Sequence, residues 1–441
     1  MVYGVLRLLW RADLMTKHAA IVGVRVGDEG KGVRVVHYAQ RMMKQGRPVL
    51  TYRWHGAANA GHTVVKDKVT YRLHQVPAGI VVGGTYNLQG AGVYINPRKE
   101  VEEIGKLREQ GLEVSPRNLG IASNCTVTFD FHTDEDRKNL LQTQHTSTGN
   151  GVKQTAVDLY NRTGVRFAEF LDAPECARAL HERFNDGIIP GRGSIDEFVA
   201  GYEAERNFLA PFMVLESEMF ERYADSFKLG EGAHGFDLDV IEGLYPGVTS
   251  SHPSQVPRRP DIILGAIKLY DSSVGHNRPF VSRLADSAIE AKLRDLWGER
   301  GTTTGKDRYI GWADMVAARH AIDVIGVDYL VGNCGDRLTE LHKLGKSVGL
   351  VTAYEINGVE HSEWDASFHK RGELMRAKPV VEWFEPWNIF VQDNGRLHPN
   401  AQRFIDRIQE LTRKEFVLLG TGSGINDVLE INDIVSKLSS A

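Results

Sequence analysis

Residues 24–33, VRVGDEGKGV, follow the apolar run HAAIVG (18–23) and precede VVHYAQRMMKQG (35–46). The run before is short and rich in apolar residues, which predicts a buried strand. The run after carries its apolar residues at helical spacing and stops at Gly46, which predicts a helix. PVLTYRW (48–54) reads as the next strand. Strand, glycine turn, helix and strand make a βαβ unit, and with it a parallel sheet. The turn almost spells a P-loop, a glycine, four residues, then Gly-Lys-Ser/Thr. Arg25 stands at the first glycine, however, and Gly32 stands at the magnesium-binding hydroxyl.

Further strands are predicted at NLGIAS, FKLGEGA, DIILGAIKLY, VDYLVGN, SVGLVTAYEI and FVLLGTG, several ending in glycine. Ligands of open α/β sheets collect at such carboxyl ends. From about 165 to 225 the chain reads as amphipathic helices, a helical insertion. The expected fold is α/β, a large central, mostly parallel sheet with surrounding helices.

The 441 residues carry a net charge of −4, too near neutrality for a nucleic-acid binder, and no basic block is present. Cys125, Cys176 and Cys334 lie far apart without metal-ligand spacing, as expected of free thiols in a reducing cytoplasm. The first apolar run is interrupted by Arg7, Arg11 and Asp13 and is followed by no small-residue cleavage site, which argues against a secretory signal. Met15 directly precedes the first strand, so residues 1–14 are expected to be an extension and 15–441 a single domain with insertions. No run is long enough to span a bilayer.

Several loops carry groups suited to anions. In Gly27-Asp28-Glu29-Gly30-Lys31-Gly32 the glycines permit close backbone approach, the helix start offers free N–H groups, and Lys31 adds a charge. Asp28 repels phosphate unless a cation intervenes, so it is expected to ligate magnesium or to act as a base on substrate. HGAANAGHT (55–63) offers Asn59 as donor and acceptor and His62 as donor or proton carrier. HTSTGNG (145–151) and GTTTGKDR (301–308) are rich in hydroxyls and glycine, with Thr148, Thr303, Thr304 and Arg308 as donors. EGAHG (231–235) and LYPGVTSS (244–251) bring His234 and Thr249, and GNCGD (332–336) ends in Asp336, placed to read a base edge.

The ordered series GDEGKG, NAGHT, STGNG, EGAHG, YPGVTSS, GTTTGKDR and GTGS resembles the adenylosuccinate synthetase family from about residue 19 to the C-terminus. YRLHQVPAGI and GAGVYINP fit the same order. The resemblance implies a homodimeric ligase that joins L-aspartate to C6 of a 6-oxopurine nucleotide after a nucleoside triphosphate phosphorylates O6. It gives Asp28 the N1 proton and, with the Gly61 carbonyl, Mg²⁺. Lys31 and His62 then stabilise charge on the transferring phosphoryl. Gly27, Glu29, Gly30, Gly32, Ala60 and Thr63 belong to the nucleotide loops. Asn59, Thr148, His234 and Thr249 hold the substrate nucleotide, and Arg162 reaches its phosphate across the dimer. Thr303, Thr304 and Arg308 close on aspartate, while Asp336, Gly420, Thr421 and Gly422 face the triphosphate base.

Some positions depart from the family. Val26-Gly27 replaces Trp-Gly, His234 a glutamine, Asn333-Cys334-Gly335-Asp336 a Thr-Lys-x-Asp stretch, and Lys306 an arginine near the ribose. With the guanine-packing lysine gone, ATP or dATP becomes the expected donor in place of GTP. These changes resemble the phage branch that aminates dGMP, although Asp28 is retained where many of its members carry a small residue. The expectation is therefore dGMP with ATP or dATP; the alternative is IMP with GTP. A nucleotide-binding regulator without catalysis is the other class, and the intact set Asp28, Lys31, Asn59, His62 and Thr148 argues against it.

Overall fold

The computed structural model describes residues 17–143, 147–274, 278–301 and 305–432. The proposed extension 1–14 and the residues Thr303 and Thr304 lie outside the described residues.

The main sheet has ten strands: β1 His18–Gly23, β2 Val49–Arg53, β3 Tyr86–Gln89, β4 Leu119–Ala122, β5 Met213–Val214, β6 Phe227–Gly235, β7 Ile262–Lys268, β8 Tyr329–Asn333, β9 Phe416–Gly420 and β10 Val428–Glu430. Their spatial order is β5-β4-β3-β2-β6-β1-β7-β8-β9-β10. Every neighbouring pair is parallel except β9 with β10. β1 lies at the middle, and successive strands depart from it in both directions. That reversal opens a crevice at the strands' carboxyl ends, where ligands of such sheets bind.

Both faces of the sheet are covered. Ala19 and Ile21 of β1 enter one core cluster, while Ala20 and Val22 enter the other. This is the period-two alternation of a strand buried on both sides, and it explains why residues 19–22, AAIV, are apolar throughout. Helix α1, Lys31–Lys44, packs its buried residues Val35, Val36, Tyr38, Ala39 and Met42 onto one face. The helical insertion is present, with helices at Phe167–Leu171, Ala173–Arg183, Ile195–Ala200, Glu203–Leu209 and Glu216–Arg222, and it lends β5 to the sheet edge.

One predicted strand goes elsewhere. SVGLVTAYEI forms Val348–Ile356, which pairs with Tyr309–Asp314, Val359–His361 and Lys378–Phe384 in a separate five-stranded sheet. Among the described residues no helix is long and apolar enough to cross a membrane.

Candidate active site

The first loop leaves β1 and turns back through left-handed backbone at Gly27, Asp28 and Gly30, with φ of 111°, 57° and 78°. Glu29 stabilises the turn from inside: its carboxylate accepts from the Gly27 N–H at 2.7 Å, the Arg25 N–H at 3.2 Å and Lys31 Nζ at 2.6 Å. Burial pushes the Glu29 pKa up, but Lys31 and these hydrogen bonds outweigh it and hold it below its ordinary value. Lys31 itself is only 2 % exposed. The two departures from a P-loop now have causes. Arg25 is buried and binds Asp237 and Asp271, both at 2.8 Å, which ties the loop to the start of the second sheet. A Cβ on Gly32 would sit 2.9 Å from the His62 Cβ, so the space a P-loop hydroxyl needs is taken by an imidazole.

The second loop follows β2. Asn59 Nδ2 donates to Thr249 Oγ1 at 3.4 Å, joining two motifs 190 residues apart. The Ala60 carbonyl accepts from His74 Nδ1 at 2.7 Å, and Thr63 is exposed on the opposite face of its strand from His62. His62 turns inward: Nδ1 lies against Glu231 and 2.8 Å from Arg53 Nη2, and Nε2 is 3.2 Å from the Ala233 carbonyl. Burial lowers its pKa and Arg53 adds to that, against the pull of Glu231. His234, at the end of β6, is buried with no hydrogen-bond partner for Nε2 among the described residues, and burial brings its pKa down to about 3. A neutral imidazole therefore faces any ligand there.

Glu231 is the hub of this region. It is fully buried, binds Arg53 at 3.0 Å and accepts the Ala78 N–H at 2.7 Å. Burial alone raises its pKa, but Arg53 and His62 bring it down to about 2. A carboxyl depressed from 4.5 to about 2 stabilises the fold above pH 4.5 and loses that stabilisation as pH falls toward 2, an effect of about 3 kcal/mol. The denaturant-midpoint gap between wild type and Glu231→Gln should accordingly be wide at pH 7 and narrow at pH 3. A gap independent of pH would contradict a charged Glu231.

Arg308 connects the GTTTGKDR loop to the first loop. Its Nη2 pairs with the Asp28 carboxylate, 280 residues away, and its Nη1 donates to Glu299 at 2.7 Å. Burial lowers its pKa to about 10, so it remains a cation at neutral pH. Glu299 also accepts from Lys268 at 2.8 Å, Tyr270 at 2.5 Å and Arg337 at 2.8 Å. At the far end Asn333 Nδ2 donates to the Glu29 carbonyl at 2.6 Å, fastening the end of β8 to the first loop. Asp336 is half-buried, and burial raises its pKa against the pull of Arg337. Thr421 N–H donates to the Asp427 carbonyl, and Gly422 lies close against the Asp427 side chain.

The structure thus gathers Asp28, Lys31, Asn59, His62, His234, Thr249 and Arg308 at the carboxyl ends of β1, β2 and β6 and the loops facing them. Thr148 accepts from Asn150 at 2.9 Å, in a loop whose following helix packs Val152 and Ala156 against Ala57. Arg162 is exposed just after that helix with φ 64°, and Lys306 is exposed within the GTTTGKDR loop. The motif reading passed over Glu231, Arg53, Glu299 and Arg34. Their signal was a charge inside an otherwise apolar or glycine-rich run, as in GEGAHG, which marks a buried and therefore paired ion.

A family model for adenylosuccinate synthetase matches residues 20–429. The chain belongs to that family. Adenylosuccinate synthetase of Caldanaerobacter subterraneus is 33 % identical over 91 % of this chain and 96 % of its own length. That of Staphylococcus aureus is 31 % identical over 91 % and 96 %. Fully ligated adenylosuccinate synthetase from Plasmodium falciparum superposes with a TM-score of 0.81 at 21 % identity, covering 94 % of this chain and 99 % of that one. The cyanophage S-2L succinoaminodeoxyadenylate synthetase bound to dGMP and dATP superposes at 0.56 and 16 % identity, covering 96 % and 99 %. This adenylosuccinate synthetase-type chain is accordingly a carbon–nitrogen ligase of nucleotide metabolism. Members of the family generally depend on Mg²⁺. The Asp28 carboxylate fits that ion: its side chain is 30 % exposed and offers hard oxygens of the kind Mg²⁺ takes together with phosphate.

Proposed function

We propose that this chain joins L-aspartate to C6 of IMP with hydrolysis of GTP. The observation that carries the ligase reading is the Asp28–Arg308 pair, which sets the base against the loop assigned to aspartate. Whole-length likeness to adenylosuccinate synthetases supports IMP as the acceptor. Asp28 takes the N1 proton, O6 attacks the γ-phosphorus, and the bond to the β-phosphate oxygen breaks to release GDP. The aspartate amine then attacks C6, and phosphate leaves. Lys31 and His62 act on charge that develops at the phosphoryl group, which requires both to turn outward from Glu29 and Glu231. Asn59, Thr148, His234 and Thr249 hold the acceptor, Arg308 the aspartate carboxylate, and Asp336 and Gly420–Gly422 the triphosphate base. Mg²⁺ held by Asp28 and the Gly61 carbonyl would neutralise phosphate charge. Arg162, exposed at the end of its helix, would reach the acceptor phosphate of a partner subunit in a homodimer.

A second reading is dGMP with ATP or dATP. It is favoured by Cys334, which brings no cation to the position of the family's lysine, and by the fold shared with the cyanophage enzyme. The deciding measurement is kcat/KM for IMP, GMP and dGMP, each with aspartate and with GTP, ATP and dATP. IMP with GTP should rank first; a clear preference for dGMP with an adenine donor would transfer the assignment.

Lys31→Ala should lower kcat by about 10²–10³ with little change in KM, the loss expected for one donor that acts on transition-state charge. An effect on KM alone would make Lys31 a ground-state binder.

A further inference from the structure

Arg34 lies on the first turn of α1, outside the groups assigned to the reaction. It is 2 % exposed. Nε donates to Asn333 Oδ1 at 2.8 Å. Nη2 lies against Gly420, where a Cβ would come within 2.6 Å of it. Nη1 is buried and has no hydrogen-bond partner among the described residues. A buried donor left without an acceptor costs about 1–3 kcal/mol, more when charged, so this arrangement is incomplete as it stands. Burial lowers the Arg34 pKa to about 10, against the pull of Tyr38, Cys334, Asp427 and Asp336, and the group stays a cation.

Its neighbours Asn333, Cys334, Asp336 and Gly420 belong to the end of the site given above to the triphosphate base. Cys334 offers no charge there; Arg34 does. A guanidinium is a planar fork of donors with no acceptor. It suits a purine edge presenting two acceptors, O6 and N7, and disfavours one with an amino donor at C6. We infer that Arg34 is a specificity-determining residue that selects a 6-oxopurine triphosphate over a 6-aminopurine one. This rests on the proposed reading of that end of the site. Glycine at 420 is the condition for it, since any side chain there would displace the guanidinium.

The competing role is purely structural: Arg34 holds Asn333, which holds the first loop through the Glu29 carbonyl. Binding of GTP, ATP and inorganic triphosphate, measured by titration calorimetry on wild type, Arg34→Gln and Arg34→Lys, separates the two without requiring turnover. Wild type should bind GTP more tightly than ATP. Arg34→Gln should lose about tenfold or more in GTP affinity, the discrimination of one good bidentate pair, while ATP and inorganic triphosphate change little. Arg34→Lys keeps the charge without the fork and should also lower the GTP-to-ATP ratio, so it decides the matter if the glutamine variant does not fold. An unchanged ratio in the variants, or an equal fall for all three ligands, overturns the inference. Wild type that binds no purine triphosphate overturns the reading of the site itself, and the role of Arg34 with it.

Discussion

Asp28→Asn should lower kcat by about 10²–10⁴, the contribution of a positioned general base, with the melting temperature nearly unchanged. Asparagine suits the experiment because residue 28 has φ 57°, a conformation that Asn tolerates as well as Asp. The substitution removes the charge and the proton-accepting group but keeps the shape of the turn. Arg308 loses one partner and retains Glu299 at 2.7 Å, so the aspartate loop keeps its anchor. The loss should therefore appear in kcat more than in KM for aspartate. Near-normal turnover in a purified, folded variant would remove Asp28 from the chemistry.

Glu299→Ala should destabilise the fold by about 3–5 kcal/mol, as when one partner is deleted from a buried ion pair. Glu299 is 1 % exposed and collects Lys268, Tyr270, Arg337 and Arg308 on two oxygens. Its removal leaves Lys268 buried without that carboxylate and leaves Arg308 held by Asp28 alone of its two carboxylates. The denaturant midpoint should fall and KM for aspartate should rise. Glu299→Gln keeps one accepting oxygen but loses the charge and sets an NH2 where the other oxygen accepts, and should fall between the two. A midpoint equal to wild type would mean that the three cations are neutralised by other groups.

Much of the architecture can be read along the chain because strand and helix periods are local. Each apolar run predicted as a strand contains one, although DIILGAIKLY divides at Leu269 between Ile262–Lys268 of the main sheet and Tyr270–Ser273 of the smaller one. The order of the motifs also suffices for the family, since seven short patterns in sequence constrain a chain far more than any one does. What the residues cannot state alone is which distant partner each one meets. SVGLVTAYEI has the composition of a buried strand in either sheet, and only its pairing with Lys378–Phe384 puts it in the smaller one. Gly32 is small because His62 packs on it, and Gly420 because Arg34 does. Asp28 meets Arg308 across 280 residues. Such contacts follow from the order in which strands lie side by side, a long-range property with no periodic trace in the sequence. Local pattern determined the elements and the loops; strand order decided which charges share a buried site, and a buried charge is stable only where that order supplies its counterpart.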